Sequence, residues 1–296
     1  MNSEQEIKFS ILIPSWNNLP YLKVCIESIQ KNSFYKHQII VHVNDGNDGT
    51  LEWVKSIGLN YSHSNENIGI CKAMNEAAAL ANTDYILYLN DDMYVCPDWD
   101  KWIWNEVVEQ GDEYFYFSST MIEHSQSSSK CILSPYDFGK SVQTFRESEL
   151  IAALPSIPSS DWNGGTWPPS LMHRKLWHLI GGFSIEFSPG MYSDPDISMK
   201  LWMAGVRNFK GIGKSKVYHF ISKTTGKIKR NNGRVEFFRK WGISNSAFYR
   251  FYLQMGTPAC KLVEPKHSFA FRVSNFRDKL KFIGYSIKGA KSVIGL

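Results

Sequence analysis

Apolar residues recur along this chain in short runs that alternate with segments of helical period. Residues 9–13 (Phe-Ser-Ile-Leu-Ile) predict a buried strand stopped by Pro14. Leu22, Cys25, Ile26 and Ile29 share one face of a helix predicted over 19–32. A second strand is expected over 38–43, a short helix over 51–57, a short strand over 59–62 and an Ala-rich helix over 70–81. The run from Tyr85 to Leu89 predicts a strand over 84–89. Strands alternating with helices of about ten residues imply an α/β fold with a mostly parallel sheet covered on both faces.

Beyond residue 110 the pattern loosens. Residues 114–118 and 131–133 read as strands around a polar loop at 125–130. Residues 174–180 read as a helix closed by Gly181-Gly182, and 196–204 as a helix ended by Gly205. Residues 217–220 predict a short strand carrying His219. The segment 222–234 holds Lys223, Lys227, Lys229, Arg230 and Arg234 and reads as a basic loop, either a lid over a pyrophosphate or a solvated charge run. In the tail, Phe269, Val273, Phe276, Leu280, Ile283 and Ile287 recur at four and three residues, one stripe of a helix. Such a basic amphipathic helix suits the surface of an anionic membrane. It suits packing on the body or on a second subunit equally, and the residues leave these readings level. The expected division is a domain over 1–245 and a helical extension over 246–296.

Composition narrows the class. With 296 residues, 43% hydrophobic and 21% charged, the chain has the profile of a globular protein with a sizeable core. The net charge of +5 is uneven: residues 260–296 carry eight Lys/Arg and two Asp/Glu, leaving 25 basic against 26 acidic groups elsewhere. A near-neutral body with a basic tail differs from a nucleic-acid binder, and none is expected as a partner. Residues 1–8 lack the pattern of a signal peptide, and no run reaches the length of a membrane span. The five cysteines are scattered without a CxxC pair, which argues against a zinc site or a disulfide framework and for a cytoplasmic setting.

The candidate chemistry starts at the end of the 84–89 strand, where Asn90-Asp91-Asp92 follows Leu89. Ligands of open α/β sheets bind at the carboxyl edge of the strands, and adjacent carboxylates there suit a divalent cation carrying phosphates. A polar turn is the plain alternative. Asp45, in the loop Asn44-Asp45-Gly46-Asn47-Asp48-Gly49-Thr50, either contacts a ligand or caps the following helix. Asp194 and Asp196 straddle Pro195 at a helix start, where capping alone would also explain them, Asp196 more readily. Trp162 and Trp167 flank Asn163-Gly164-Gly165, a loop suited to a sugar acceptor or to core packing.

In order and spacing these pieces resemble the family-2 glycosyltransferases of GT-A fold, over about residues 9–245. Ser10-Ile11-Leu12-Ile13-Pro14-Ser15-Trp16-Asn17 resembles the family's first strand and nucleotide-binding turn. Val43 to Thr50 resembles its V-D-D-G-S-x-D-G-T loop, Asn67-Ile68-Gly69 with Asn75 its N-x-G…N, and Leu89-Asn90-Asp91-Asp92 its DXD region. Gly181-Gly182-Phe183, Ser193-Asp194-Pro195-Asp196-Ile197 and Lys200-Leu201 are similar to G-G-F…E-D-x-D-L…R-L, and Val217-Tyr218-His219 to a late V-Y-H. Asn90 and Ser193 depart from the acidic residues usual at their positions.

The resemblance implies a Rossmann-like sheet and an inverting transfer from a nucleotide-diphosphate sugar, with UDP favoured. It implies Asp194 as base, and Asp92 and His219 as ligands of Mn²⁺ or Mg²⁺. Donor contacts are expected from Pro14, Ser15, Asn17, Asp45, Asn67, Lys72, Asn90, Asp91, Lys223 and Arg230. The acceptor class it implies is a glycan or lipid-linked saccharide in bacterial cell-envelope polysaccharide assembly, with the protein cytoplasmic or peripheral on the inner membrane face. A sugar-phosphate nucleotidyltransferase would need a Gly-rich, Arg-containing loop after the first strand, and Ser15-Trp16-Asn17-Asn18 is not one. A non-catalytic glycan-binding or nucleotide-sugar-binding protein would explain the aromatic content without needing Asp194.

Overall fold

A computed structural model describes residues 6–222, 231–266 and 268–294. The first half alternates strand and helix: β1 (Ile7–Trp16), α1 (Leu19–Asn32), β2 (Lys36–Asn44), α2 (Thr50–Ser56), β3 (Asn60–Ser64), α3 (Gly69–Ala78) and β4 (Tyr85–Tyr88). These four strands are parallel, in the order β3-β2-β1-β4. Period-two alternation sorts the side chains of β1: Phe9, Ile11 and Ile13 pack under α1 and α2, while Leu12 faces α3.

The sheet continues with β5 (Met93–Val95), β6 (Phe115–Glu123), β7 (Ile132–Leu133), β8 (Trp162–Asn163), β9 (Ser170–His173) and β10 (Asn208–His219). Across it the order is β3-β2-β1-β4-β9-β6-β10-β5, with β7 on β6 and β8 on β10. β9 is antiparallel to both β4 and β6, and β5 is antiparallel to β10. The sheet, expected to be mostly parallel, is therefore mixed beyond β4.

Helix α4 (Trp99–Gln110) covers one face of the sheet with Trp99, Ile103 and Val107. α5 (Glu147–Ala153) supplies Leu150 to a smaller cluster with Tyr94, Tyr218 and Phe220. α6 (Arg174–Ile180), α7 (Ser193–Met203) and α8 (Gly233–Trp241) join α3 on the other face through Leu176, Trp177, Ile197, Trp202 and Phe237. After a one-turn helix α9 (Asn245–Ala247), Phe248, Leu253 and Leu262 enter that same core, so the chain past residue 245 contributes to the body. α10 (Phe269–Ile294) closes the described chain. The five cysteines are free, four of them buried. No helix among the described residues is long and apolar enough to cross a membrane.

Candidate active site

The carboxyl ends of β1, β2 and β4 open into a cavity of about 260 Å³ lined by Pro14, Ser15, Asn44, Asn67, Asn90, Asp91, Asp92, Pro189, His219 and Ser222, among others. Ser15 Oγ donates to Asp91 Oδ2 at 2.7 Å, tying the end of β1 to the acidic cluster. Burial and the neighbouring Asp92 charge push the Asp91 carboxyl up. Burial also raises Asp92, but the His219 imidazole and the Ser222 N–H, which donates to Oδ2 at 2.8 Å, outweigh it and leave Asp92 below the usual carboxylate range. One of the pair is thus held charged and the other drawn toward neutrality, as two adjacent buried carboxylates must be.

Strand register places His219. β10 runs parallel to β6 with His219 opposite Glu123, and antiparallel to β5 with His219 opposite Met93. Glu123 Oε1 lies 2.8 Å from His219 Nδ1, and His219 Nε2 lies 3.5 Å from Asp92 Oδ2. The imidazole is only partly exposed, which disfavours its charge, yet the two flanking carboxylates win and raise its pKa to about 10. Glu123 fixes the ring and leaves Nε2 toward Asp92, the arrangement by which a carboxylate orients a metal-binding histidine.

A second cavity, about 250 Å³, shares Ile70, Asn90, Pro189 and His219 with the first. Its remaining wall includes Tyr88, Trp167, Pro168, Met191 and Asp194. Asp194 stands in the first turn of α7, and burial alone pushes its carboxyl from 3.8 to about 7. Tyr88, Tyr116 and Tyr249 are buried close enough to feel its charge. A carboxylate of that strength, opening into a cavity beside an acidic and imidazole cluster, is suited to accept a proton near neutral pH.

Residues 10–127, which contain both Ser15 and the acidic cluster, match Glycosyl transferase family 2. That match covers about two fifths of the chain. No curated protein sequence matches the chain. Among solved structures, GalNAc-T7 with UDP, GalNAc and Mn²⁺ is 14% identical, the match covering 84% of this chain and 50% of that one at a TM-score of 0.57. TarS 1-349 of S. aureus in complex with UDP is 16% identical over 73% of this chain and 59% of that one, with a TM-score of 0.49. The chain therefore spans about half to three fifths of the length of these structures. The fold is GT-A, as the sequence pattern implied.

Of the residues expected at the site, Pro14, Ser15, Asn67, Asn90, Asp91, Asp92 and His219 line the first cavity together. Asn17 and Asp45 sit just outside that lining. Both backbones are left-handed, and Asn17 Nδ2 donates to Asp45 Oδ2 at 2.9 Å while its Oδ1 accepts from Gly46 N at 3.0 Å. Asp48, not Asp45, serves the next helix: it accepts from Thr50 N at 3.1 Å and from Leu19 N at 2.9 Å. Lys72 is exposed on α3 and lines neither cavity. Lys223 and Arg230 lie outside the described residues.

The other motifs read from the sequence hold the site together. Asn75 donates to Phe183 O at 2.8 Å and accepts from Phe183 N at 2.9 Å, clasping α3 to the Gly181-Gly182-Phe183 turn. A Cβ on Gly69, whose φ is +79°, would meet Pro189 Cα at 2.7 Å, and Ile70 N donates to Pro189 O at 2.9 Å. Asp196 is fully buried and accepts from Trp241 Nε1 at 2.8 Å beside Lys240, so it serves α7 and α8 structurally. Trp162 is buried, donates to Thr120 Oγ1 at 2.9 Å and lines neither cavity, whereas Trp167 faces the second. Among the described residues no group of three or more His, Cys, Asp or Glu converges on a metal. Two side chains, one carboxylate and one oriented imidazole, nevertheless fit a cation completed by substrate phosphates.

Sequence reasoning missed Glu123. The expected strand at 114–118 ended five residues early, and the true end of β6 puts this carboxylate at the same sheet edge as His219. Its signal was available: an acidic residue directly after the apolar pair Met121-Ile122.

Proposed function

We propose that this chain is an inverting glycosyltransferase, moving a sugar from a nucleoside-diphosphate donor, UDP by preference, to a hydroxyl of a glycan or lipid-linked saccharide acceptor. The observation that carries this reading is the raised carboxyl of Asp194 in a cavity that shares Asn90 and His219 with the one holding Asp91 and Asp92. The first cavity takes the nucleoside diphosphate, with Pro14, Ser15 and Asn67 beside it and the Asn17–Asp45 pair at its margin. Asp92 and His219 would hold Mn²⁺ or Mg²⁺ together with the two phosphates. Such a cation supplies charge neutralisation to the leaving diphosphate.

The acceptor hydroxyl enters the second cavity, past Trp167 and Met191. Asp194 takes its proton as the oxygen attacks the anomeric carbon from the side opposite the diphosphate, and single displacement inverts the configuration. A base of pKa about 7 matches a hydroxyl that loses its proton only in the transition state. Assembly of bacterial cell-envelope polysaccharide is the role this acceptor class favours, with the protein on the cytoplasmic side. GalNAc-T7, whose structure carries UDP and Mn²⁺, holds ligands of the class proposed.

A panel of nucleotide sugars incubated with the purified chain, with and without Mn²⁺, tests the proposal. Metal-dependent release of nucleoside diphosphate with one donor, and a product of opposite anomeric configuration by NMR, are expected. Retention of configuration would overturn the single-displacement step, and no release with any donor would overturn the activity.

A further inference from the structure

Helix α10 has two apolar faces, and among the described residues only one is packed on the body. Phe271 is buried against Phe251 and Tyr252, Phe282 stacks on Phe238 of α8, and Asp278 accepts from Ser244 Oγ between them. At 100° per residue Phe271, Asp278 and Phe282 fall on one side of the helix. The stripe legible in the sequence falls on the other. Phe269 is 84% exposed, Phe276 63%, and Leu280 and Ile283 54% each. Four large apolar side chains in line on one outward face exceed what a protein surface normally scatters singly.

Charge flanks this stripe on both sides. Arg277 and Lys281 lie along one edge, Arg272 and Lys279 along the other. The single acid in the sequence of α10, Asp278, is half-buried and accepts from Ser244 Oγ. On the Arg277 edge a groove of about 360 Å³, which also takes in Asp278, collects two further cations, Arg234 from α8 and Arg250 from the helical turn Phe248–Tyr252. An apolar ridge between two cationic rows, with a groove for phosphates alongside, is complementary to the acyl boundary and headgroups of an anionic bilayer. A second copy seated by a two-fold contact would set these cationic rows against themselves.

We infer that the outward face of α10 docks on an anionic lipid surface: Phe269, Phe276, Leu280 and Ile283 enter the acyl boundary, and Arg277, Lys281, Arg234 and Arg250 meet the lipid phosphates. The inference stands apart from the donor chemistry, since it uses none of the residues that line the two cavities.

Flotation of the full chain tests it, using phosphatidylcholine vesicles with and without about one third phosphatidylglycerol. The chain should float with the anionic vesicles and stay behind with the neutral ones. The pairs F276S/L280S and R277Q/K281Q change exposed positions, and each should lower partitioning about tenfold or more with unchanged circular dichroism. Equal flotation of the parent chain and both pairs would overturn the inference, as would equal binding to neutral vesicles. Sedimentation velocity supplies the last arm: a dimer abolished by F276S/L280S, without any vesicle binding by the parent, would assign the face to a second copy instead.

Discussion

At pH 8 the Asp194→Asn variant should unfold at a higher temperature than the parent chain while losing its transfer activity. The Asp194 carboxyl rises from 3.8 to about 7 because the folded chain buries it without a compensating cation. The rise corresponds to about 4 kcal/mol, at about 1.4 kcal/mol per tenfold change in ionisation constant. Asp194 keeps some contact with water through the cavity, which reduces the figure to about 2–4 kcal/mol. The sign follows from proton binding. Between about pH 4 and pH 7 the unfolded chain has released this proton and the folded chain retains it, so stability falls as pH rises through that window. Below it the acid is neutral in both states and no penalty remains; above it the penalty is complete.

Asparagine carries no charge at any pH and fills the same space. Its advantage should therefore be small near pH 4, grow through pH 7 and level off above. At pH 8 that amounts to roughly 3–6 °C in the unfolding midpoint for a chain of this length. Other groups titrate alike in both proteins and cancel in the comparison. Transfer should fall by about 10²–10⁴ with the base removed. Thermal unfolding of both proteins at pH 4.5, 6 and 8, beside donor turnover at pH 8, measures both arms. A stability difference independent of pH would refute the burial argument, and preserved turnover would refute the role as base.

In the parent chain, kcat/KM should rise with pH up to about 7 and flatten above it, as Asp194 loses its proton; a flat profile from pH 5 to 8 would point to another base. Glu123→Gln keeps the shape of its side chain but weakens the hold on His219 Nδ1, so the Mn²⁺ concentration for half-maximal activity should increase about 10–100-fold with little change in stability. Gly69→Ala combines a left-handed backbone with a 2.7 Å approach to Pro189, and denaturant unfolding should register a loss of about 2–4 kcal/mol. Since Pro189 lines both cavities, the KM values for donor and acceptor should increase together in that variant.

How much of this was legible in the sequence depended on whether a residue's neighbours in space were also its neighbours in the chain. α1 was readable to its ends because Leu22, Cys25, Ile26 and Ile29 form one stripe between turn residues. The acidic cluster was readable because a single short strand delivers it. α4 escaped because its buried apolar residues, Trp99, Ile103 and Val107, form a stripe one residue wide, interrupted by half-buried Trp102 and Trp104 and the exposed Val108. β9 escaped because four residues, Ser-Leu-Met-His, carry no period, although they fill the gap between β4 and β6. Glu123 could be read as an acid after an apolar pair, but its place against His219 depends on the register of β6 with β10, a pairing across some 96 residues that no local pattern encodes. In the tail, the sequence stripe was the face left outside, while the packing face rests on Phe271 and Phe282, eleven residues apart.

Helix α8 spans from the mouth of the second cavity to the outer helix. Just before its first turn, Asn231 donates to Phe187 O and Met191 O at the rim of the second cavity, and Gly233 fits against Met191 O where no side chain would. Toward its far end Phe238 stacks on Phe282 of α10. Nine residues of α-helix make a strut of about 13 Å whose length is set by backbone geometry. The strut works as a ruler between the pocket mouth and the outer helix. One added turn would raise the mouth by about 5 Å, and the reach required of any acceptor tethered beyond α10 would lengthen by the same step.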